Sequence, residues 1–331
     1  EGLSGNSIHF RNKGCDDGDI EGLIELLQTN AGGIELIDLH QNRITLVGSR
    51  FANSLAGNDT LKILYLTNNS IGPRGAGLLA DALKVNETLQ VIGLGQNQIG
   101  PAGAKRLAVA LRSNRNILKI YLERNKMGVE GAACLADALK VNQSIFVINL
   151  EQNKMGAEGA GKIANAIVEN RSLQKLLFRD NHIADEGAIR IADALIANNS
   201  INELDLARNR IGRAGAARLG LAIKDNKTLQ KLFLGSNQIQ TAGAGRIADA
   251  LKTNSTLQVL GLESNKIDEK ADRLASALKE NQSLQTLFLS GNFLADEGAI
   301  KLADALKVNQ SLQVMGLSGT RIGAEGGKGL A

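Results

Sequence analysis

The 331-residue sequence has no tryptophan, 2 prolines, 2 cysteines and 3% aromatic residues. Each scarcity excludes something. A compact core draws much of its bulk from aromatic rings, so a core here must be built from Leu, Ile, Val and Ala. Cys15 and Cys134 lie far apart, form neither a disulfide framework nor a zinc-ligand spacing, and favour a reducing compartment. No apolar run approaches the ~18 residues that a spanning helix needs, so no membrane insertion is expected. Neither sign of charge dominates. A formal net charge of +4 is small for this length, and no nucleic-acid partner is expected from it. With 43% hydrophobic and 22% charged residues, disorder is excluded too.

What is abundant is glycine, 37 residues, and it recurs in phase with asparagine. Length alone would suggest two or three compact domains; internal repetition replaces that expectation. Aligned on Asn42, Asn69, Asn97, Asn125, Asn153, Asn181, Asn209, Asn237, Asn265 and Asn292, the chain steps by 27, seven times by 28, then by 27. Another 28 residues lead to Thr320, and Lys13 stands in the same phase 29 residues before Asn42.

Each unit changes its hydrophobic period halfway. Before Asn97, Ile92 and Leu94 alternate with Val91, Gly93 and Gly95, the period of a strand. After it, Ala104, Leu107, Ala108 and Leu111 fall on one face of a helix. Identical strand–helix units in series give parallel strands with the helix as crossover. Strands sit about 4.8 Å apart and helices about 8–10 Å, so the expected fold is an α/β solenoid: a horseshoe of about twelve βα repeats, strands on the concave face and helices on the convex one. Where a strand ends, the amide of the asparagine offers both a donor and an acceptor to backbone groups that leave the ladder. The ten aligned asparagines are therefore expected to form a structural ladder, broken by Lys13 and Thr320. The two 27-residue units should have shortened helix starts and undisturbed strands. Residues 1–33 are expected to form an N-terminal capping repeat, and 34–331 a continuous solenoid. The last repeat stops midway through its helical half, as in a piece of a longer protein.

The pattern LxxLxLxxNxIGxxGAxxLAxALxxNxTL resembles leucine-rich repeats of the ribonuclease-inhibitor type. Stretches such as Leu302-Ala-Asp-Ala-Leu-Lys-Val-Asn309-Gln-Ser-Leu312 are similar to the repeats of NOD-like receptors. The resemblance implies a non-catalytic scaffold that binds a protein on its concave face, as the recognition or regulatory domain of a larger cytoplasmic receptor or adaptor. It implies nothing about which protein. Ribonuclease inhibitor itself alternates two unit lengths and is rich in cysteine, so its activity is not carried over. The alternative is a regulator of a small GTPase, since the GTPase-activating protein for Ran has similar repeats.

No catalytic residue, cofactor or metal site is expected. Gly156-Ala-Glu-Gly-Ala-Gly161-Lys162 spells a phosphate-loop pattern, but Ile163 stands where Ser or Thr is needed and the glycines recur in other units. Asp16, Asp17 and Asp19 precede a helical pattern and read as capping residues. His9, Asp38 and His40 share the inner face, several Å apart by strand spacing, and read as a polar patch. Ten Asn-x-Ser/Thr sequons, from Asn58 to Asn309, follow mostly from the repeat consensus.

The inner face carries the expected partner-binding residues. Its central column runs His9, Asp38, Tyr65, Gly93, Tyr121, Asn149, Leu177, Asp205, Phe233, Gly261, Phe288 and Gly316. Aromatic side chains exposed on a sheet act as interface anchors. Tyr65, Tyr121, Phe233 and Phe288 are assigned that role, with Tyr121 and Phe233 central and the glycines leaving room for the partner. Asn149 and Asp205 share the column. Lys119, Glu123, Arg124, Glu151, Lys175, Arg179, Arg208 and Lys231 form a mixed-charge surround that would set orientation.

Overall fold

The computed structural model describes residues 3–4, 6–48 and 50–330. The chain divides into two compact units, one of residues 1–155 and 169–173, the other of 156–168 and 174–331. Each is a stack of strand–helix repeats of the kind the period requires.

In the first unit the strands are β1 (Leu3–Ser4), β2 (Ser7–His9), β3 (Leu36–Asp38), β4 (Ile63–Tyr65), β5 (Val91–Gly93), β6 (Lys119–Tyr121) and β7 (Val147–Asn149). They alternate with helices α1 (Glu21–Thr29), α2 (Phe51–Gly57), α3 (Gly72–Leu83), α4 (Gly100–Ser113) and α5 (Gly128–Val141). From β2 to β7 the pairing is parallel, in sequence order, with the same position of each unit in register: Ile8↔Ile37↔Leu64↔Ile92↔Ile120↔Ile148. The exception is β1, which pairs antiparallel with β2 and was not legible in the repeat.

The second unit holds α6 (Gly156–Glu169, whose last residue groups with the first unit), β8 (Lys175–Leu177), α7 (Ala184–Ala197), β9 (Glu203–Asp205), α8 (Arg213–Asp225), β10 (Lys231–Phe233) and α9 (Gln240–Leu251). It continues through β11 (Val259–Gly261), α10 (Asp272–Glu280), β12 (Thr286–Phe288), α11 (Ala295–Leu306), β13 (Val314–Gly316) and α12 (Ala324–Leu330). Its strands are parallel and in register through Leu176, Leu204, Leu232, Leu260, Leu287 and Met315.

Only three residues of each repeat are strand, and the middle one points into the core. Leu64, Ile92, Ile120, Leu204 and Leu232 are wholly buried. The helical face Ala104, Leu107, Ala108 and Leu111 packs behind them, 0–3% exposed. Close helix packing depends on a glycine at one place in most repeats; Ala271 stands there before α10. A β-carbon on Gly103 would stand 2.4 Å from Ile99 Cγ2 and 3.1 Å from Ala76 Cβ, so α3 and α4 approach through it. A second glycine opens the helices: Gly72, Gly100 and Gly128 have φ of 60–63°, which favours glycine. Gly156 adopts the same conformation, φ 64°, so its phosphate-loop pattern is an ordinary repeat start.

Both 27-residue repeats lose their residue in the helical half, as expected. There α2 has 7 residues and α10 has 9, against 14 in α4, while the registers Ile37↔Leu64 and Leu260↔Leu287 are kept.

The capping expectation at Asp16, Asp17 and Asp19 is corrected. No side chain caps α1. Asp16 and Asp19 instead close their own turn: Gly18 N donates to Asp16 Oδ1 (2.9 Å) and Asp16 N to Asp19 Oδ2 (2.9 Å). Asp17 reaches the next repeat, where its Oδ1 accepts from Thr45 N and Leu46 N, both at 2.9 Å. The aspartates serve turns and the repeat-to-repeat seam because α1 starts too late for them to reach its first N–H groups.

Candidate functional site: the sheet face and the asparagines beneath it

Behind the sheet, the aligned asparagines tie each repeat to its neighbours. Asn125 Oδ1 accepts from Asn97 N (2.9 Å) and Ile99 N (3.3 Å) of the preceding repeat. Its Nδ2 donates to Leu94 O (2.8 Å) of that repeat and to Leu122 O (3.1 Å) of its own. Asn69, Asn97, Asn153, Asn209, Asn237, Asn265 and Asn292 repeat this geometry, and all are at most 5% exposed. Asn181 is likewise buried, and Asn42 makes the same bonds, part-buried, at the first repeat. Thr320 closes the series: its Oγ1 donates to Leu317 O (2.6 Å).

A second asparagine column follows the helices, and the sequence reading passed over it. Asn58, Asn86, Asn114, Asn142, Asn170, Asn198, Asn226, Asn254 and Asn281 are 0–4% exposed. Asn86 Nδ2 donates to Leu55 O (2.8 Å) and Asn58 O (3.0 Å), while its Oδ1 accepts from Leu89 N (2.8 Å). The amide thus satisfies the end of the previous helix and turns its own chain into the next strand. The signal was present as Asn-x-Thr/Ser-Leu at a fixed phase, and it reads as repeat consensus without showing what the amide bonds.

On the solvent-facing side of the sheet, the aromatic and charged positions of the central column are half-buried, apart from the exposed His9. Three of the column's rings, those of Tyr65, Phe233 and Phe288, reach the next strand. A β-carbon on Gly93 would stand 2.9 Å from Tyr65 Cδ1; on Gly261, 3.2 Å from Phe233 Cδ1; on Gly316, 3.1 Å from Phe288 Cδ1. Each ring covers the glycine of the next repeat at the same strand position. The room expected above those glycines is therefore taken by the protein's own rings, because glycine's missing side chain is where a neighbouring ring buries most area. Tyr65 also packs on His40, ring centroids 5.0 Å apart. Tyr121 pairs in register with Gly93 on one side and Asn149 on the other.

The polar members of the column turn inward on their own strands. Asn149 Oδ1 accepts from Glu151 N (3.0 Å), Asp205 Oδ1 from Ala207 N (2.8 Å) and Asp38 Oδ1 from His40 N (3.0 Å). The patch at the first repeats is tighter than strand spacing suggested. His40 Nδ1 lies 2.6 Å from Asp38 Oδ1, and His9 Nδ1 4.0 Å from Oδ2. Two residues along one strand end bring His40 back over Asp38, which the straight-strand estimate overlooked. Burial pushes the Asp38 carboxyl up, but the hydrogen bonds from His40 outweigh it, and the net shift is downward. Among the described residues no three His, Cys, Asp or Glu side chains are grouped to hold a metal ion.

The charged surround is partly paired. Glu203 sits between Lys175 (3.0 Å) and Lys231 (3.6 Å) of the two adjacent strands. Lys119 Nζ stands 5.4 Å from the centre of the Phe146 ring. Arg124 and Arg208 are exposed in left-handed turns, both with φ 57°; Glu151 and Arg179 are half-buried. Glu123 and Glu263 behave alike. Each folds onto the glycine at its own position in the preceding repeat, with Glu123 Oε1 2.0 Å and Glu263 Oε2 2.8 Å from where a β-carbon on Gly95 or Gly235 would be. Each has one buried oxygen, Oε2, without a hydrogen-bond partner. Burial raises the Glu123 carboxyl, and the nearby Glu151 charge adds to the rise.

Parallel three-residue strands, one helix per strand and an asparagine ladder define a βα repeat protein. The chain belongs to the leucine-rich repeat family: the Leucine Rich repeat model matches residues 57–80, 85–108, 169–192, 197–220, 225–248, 280–303 and 308–331, about half of the chain. No curated protein sequence matches it. Among solved structures it is similar to an internalin from Listeria monocytogenes, with TM-score 0.59 and 18% identity over 98% of this chain and 84% of that one. It is also similar to leiomodin-1 actin-binding site 2, with TM-score 0.40 and 25% identity over 45% of this chain and 87% of that one. A Caenorhabditis elegans tropomodulin C-terminal domain gives TM-score 0.39 and 17% identity over 46% and 91%. The internalin likeness is one of fold. Among the described residues no helix is long and apolar enough to cross a membrane.

Proposed function

We propose that the chain is a non-catalytic protein-interaction scaffold whose sheet face holds a protein partner. The observation that carries this reading is a contrast within each strand. The core position repeats one kind of side chain, Leu64, Ile92, Ile120 and Ile148, while the outward position beside it changes from Tyr65 to Gly93, Tyr121 and Asn149. Packing alone would repeat a residue type; variation in size, charge and shape builds one particular surface. Tyr121, flanked by Lys119, Glu123 and Arg124, anchors the face of the first unit. Phe233, flanked by Lys231 and Arg208, anchors that of the second. Tyr65, Asn149 and Glu151 extend the face of the first unit, and Lys175, Arg179, Asp205 and Phe288 that of the second.

Helices of up to 14 residues behind three-residue strands support the ribonuclease-inhibitor type and the NOD-like receptor resemblance, although the near-constant 28-residue period departs from ribonuclease inhibitor itself. On that resemblance the chain serves as the recognition or regulatory part of a larger cytoplasmic receptor or adaptor. The test is site-specific photo-crosslinking in the native cell. A benzophenone side chain replaces Tyr121 in one variant and Val109 in another, Val109 being 49% exposed on α4. One protein should be captured from position 121 and not from 109. Capture of the same protein only from position 109 would move the interface to the helices.

A further inference from the structure

The sequence contains ten N-glycosylation sequons; the tenth is Asn68-Asn69-Ser70, and the other nine start in the second asparagine column, which Asn309 continues and in which Asn114 has no Ser or Thr two residues on. Such a motif ordinarily marks an exposed loop. Of these nine sequon asparagines eight are at most 4% exposed and Asn309 is half-buried, whereas Asn68 is exposed in a left-handed turn with φ 58°.

Burial is the smaller part of the conflict. A side-chain amide has two hydrogens on Nδ2, and the column uses both. Asn142 Nδ2 donates to Leu111 O (2.8 Å) and Asn114 O (2.9 Å); Asn254 Nδ2 donates to Ile223 O (2.7 Å) and Asn226 O (3.2 Å). In N-glycosylation a lipid-diphosphate-linked oligosaccharide is the donor. A bond forms between Nδ2 and the anomeric carbon, the bond from that carbon to the diphosphate oxygen breaks, the lipid diphosphate leaves, and the amide gives up one proton to the transferase. The product amide keeps a single hydrogen. It cannot make both bonds, and its sugar would occupy the space of the preceding helix end.

We propose that the nine column sequons are folding elements that a glycan disables, and that Asn68 is the one sequon, among the described residues, where the folded chain tolerates a glycan. N-glycosylation acts on the chain as it enters the compartment, before the column can bury itself. The protein therefore folds only where no oligosaccharide transfer takes place. This inference concerns the compartment of folding and is independent of what binds the sheet face.

The test directs the full chain, behind a cleavable secretion signal, into the glycosylating lumen of a eukaryotic cell, with and without an inhibitor of lipid-linked oligosaccharide synthesis. Glycan sites are read by mass spectrometry and folding by protease resistance. Without inhibitor, column asparagines should carry glycans, and the chain should be digested at least ~10-fold faster than the same chain made in a bacterial cytoplasm, because proteolysis follows the open population. With inhibitor, resistance should return. A variant with Thr88→Ala and its eight counterparts, leaving only Asn68 as acceptor, should fold in the same lumen with one glycan. A protease-resistant chain carrying glycans on column asparagines would overturn the proposal. So would equal sensitivity with and without inhibitor.

Discussion

The ring of Phe233 lies across Gly261, one repeat further on, its Cδ1 3.2 Å from the point a β-carbon on Gly261 would occupy. Tyr65 over Gly93 and Phe288 over Gly316 repeat the arrangement. These rings are seated on the sheet and offer a partner one face and an edge. A ring already held in place loses little freedom on binding, which favours it as an anchor.

The same seating predicts what a methyl group would do. Gly93→Ala places a β-carbon 2.9 Å from Tyr65 Cδ1 and 3.2 Å from Thr67 Oγ1, so the ring must lift. Overpacking of this kind costs about 1–3 kcal/mol. Urea denaturation should show a loss in that range. Tyrosine fluorescence should change with it, since the chain has two tyrosines and no tryptophan. Unaltered stability and emission would mean that the ring does not rest there.

The two asparagine columns should matter alike. Asn153→Ala removes the acceptor of Asn125 N (2.9 Å) and the donor to Leu122 O (2.9 Å). Asn142→Ala removes the acceptor of Ile145 N (3.0 Å) and the donor to Leu111 O (2.8 Å). Each leaves several buried backbone groups unpaired, at about 1–3 kcal/mol per group. Both variants should lose more than ~2 kcal/mol of stability. A loss below ~0.5 kcal/mol at Asn142, with a large one at Asn153, would make the second column incidental.

The repeat, its strand–helix order and its registers were legible because period and hydrophobic pattern are properties of spacing, and spacing survives in one sequence. The shortened α10 was legible for the same reason, from the 27-residue step to Asn292. Contacts one repeat apart were harder. Tyr65 before Gly93, Phe233 before Gly261 and Phe288 before Gly316 are successive column positions, so the alignment holds the pairing, but a glycine in a sequence suggests space rather than the ring that fills it. The second column is legible as consensus, but the partners of its amides, a helix end in the preceding repeat and the chain's own turn, are not. The unpartnered oxygens of Glu123 and Glu263 depend on side-chain direction, which no periodicity encodes.

One carboxylate caps the helix of the following repeat. Asp185 Oδ1 accepts from Gly212 N (2.6 Å) and Gly215 N (2.9 Å), capping the start of α8 from the preceding repeat. Asp185→Ala should cost about 1 kcal/mol, in the range of a lost N-cap. Asp185→Asn keeps an acceptor and should recover most of it. Equal losses in the two variants would point to charge rather than hydrogen bonding.

Two carboxyls predict opposite pH behaviour. Asp38 has its folded pKa below the usual 3.8, so it adds stability above that pH, lost as pH falls through the folded value. Glu123 has its folded pKa above 4.5. The fold favours its protonated form, and that contribution is full below 4.5 and lost as pH rises through the folded value. Glu123→Gln should therefore stabilise at pH 7 and gain nothing at pH 4. Asp38→Asn should destabilise at pH 7 and lose part of that difference at pH 3, converging as pH falls through the folded value. Denaturation midpoints at the three pH values decide both, and a pH-independent difference in either variant would contradict its assignment.

The central claim is that the sheet face binds while the asparagines beneath it only build. It is tested most directly by measuring affinity and thermal midpoint together for Tyr121→Ala and Asn153→Ala, using the protein captured by crosslinking at position 121. Tyr121→Ala should lose ~2 kcal/mol or more of binding, about 30-fold, as an interface anchor does, with its thermal midpoint near the parent's. Asn153→Ala should lower the midpoint and leave the affinity of the folded fraction unchanged. Unchanged affinity in Tyr121→Ala would contradict the account.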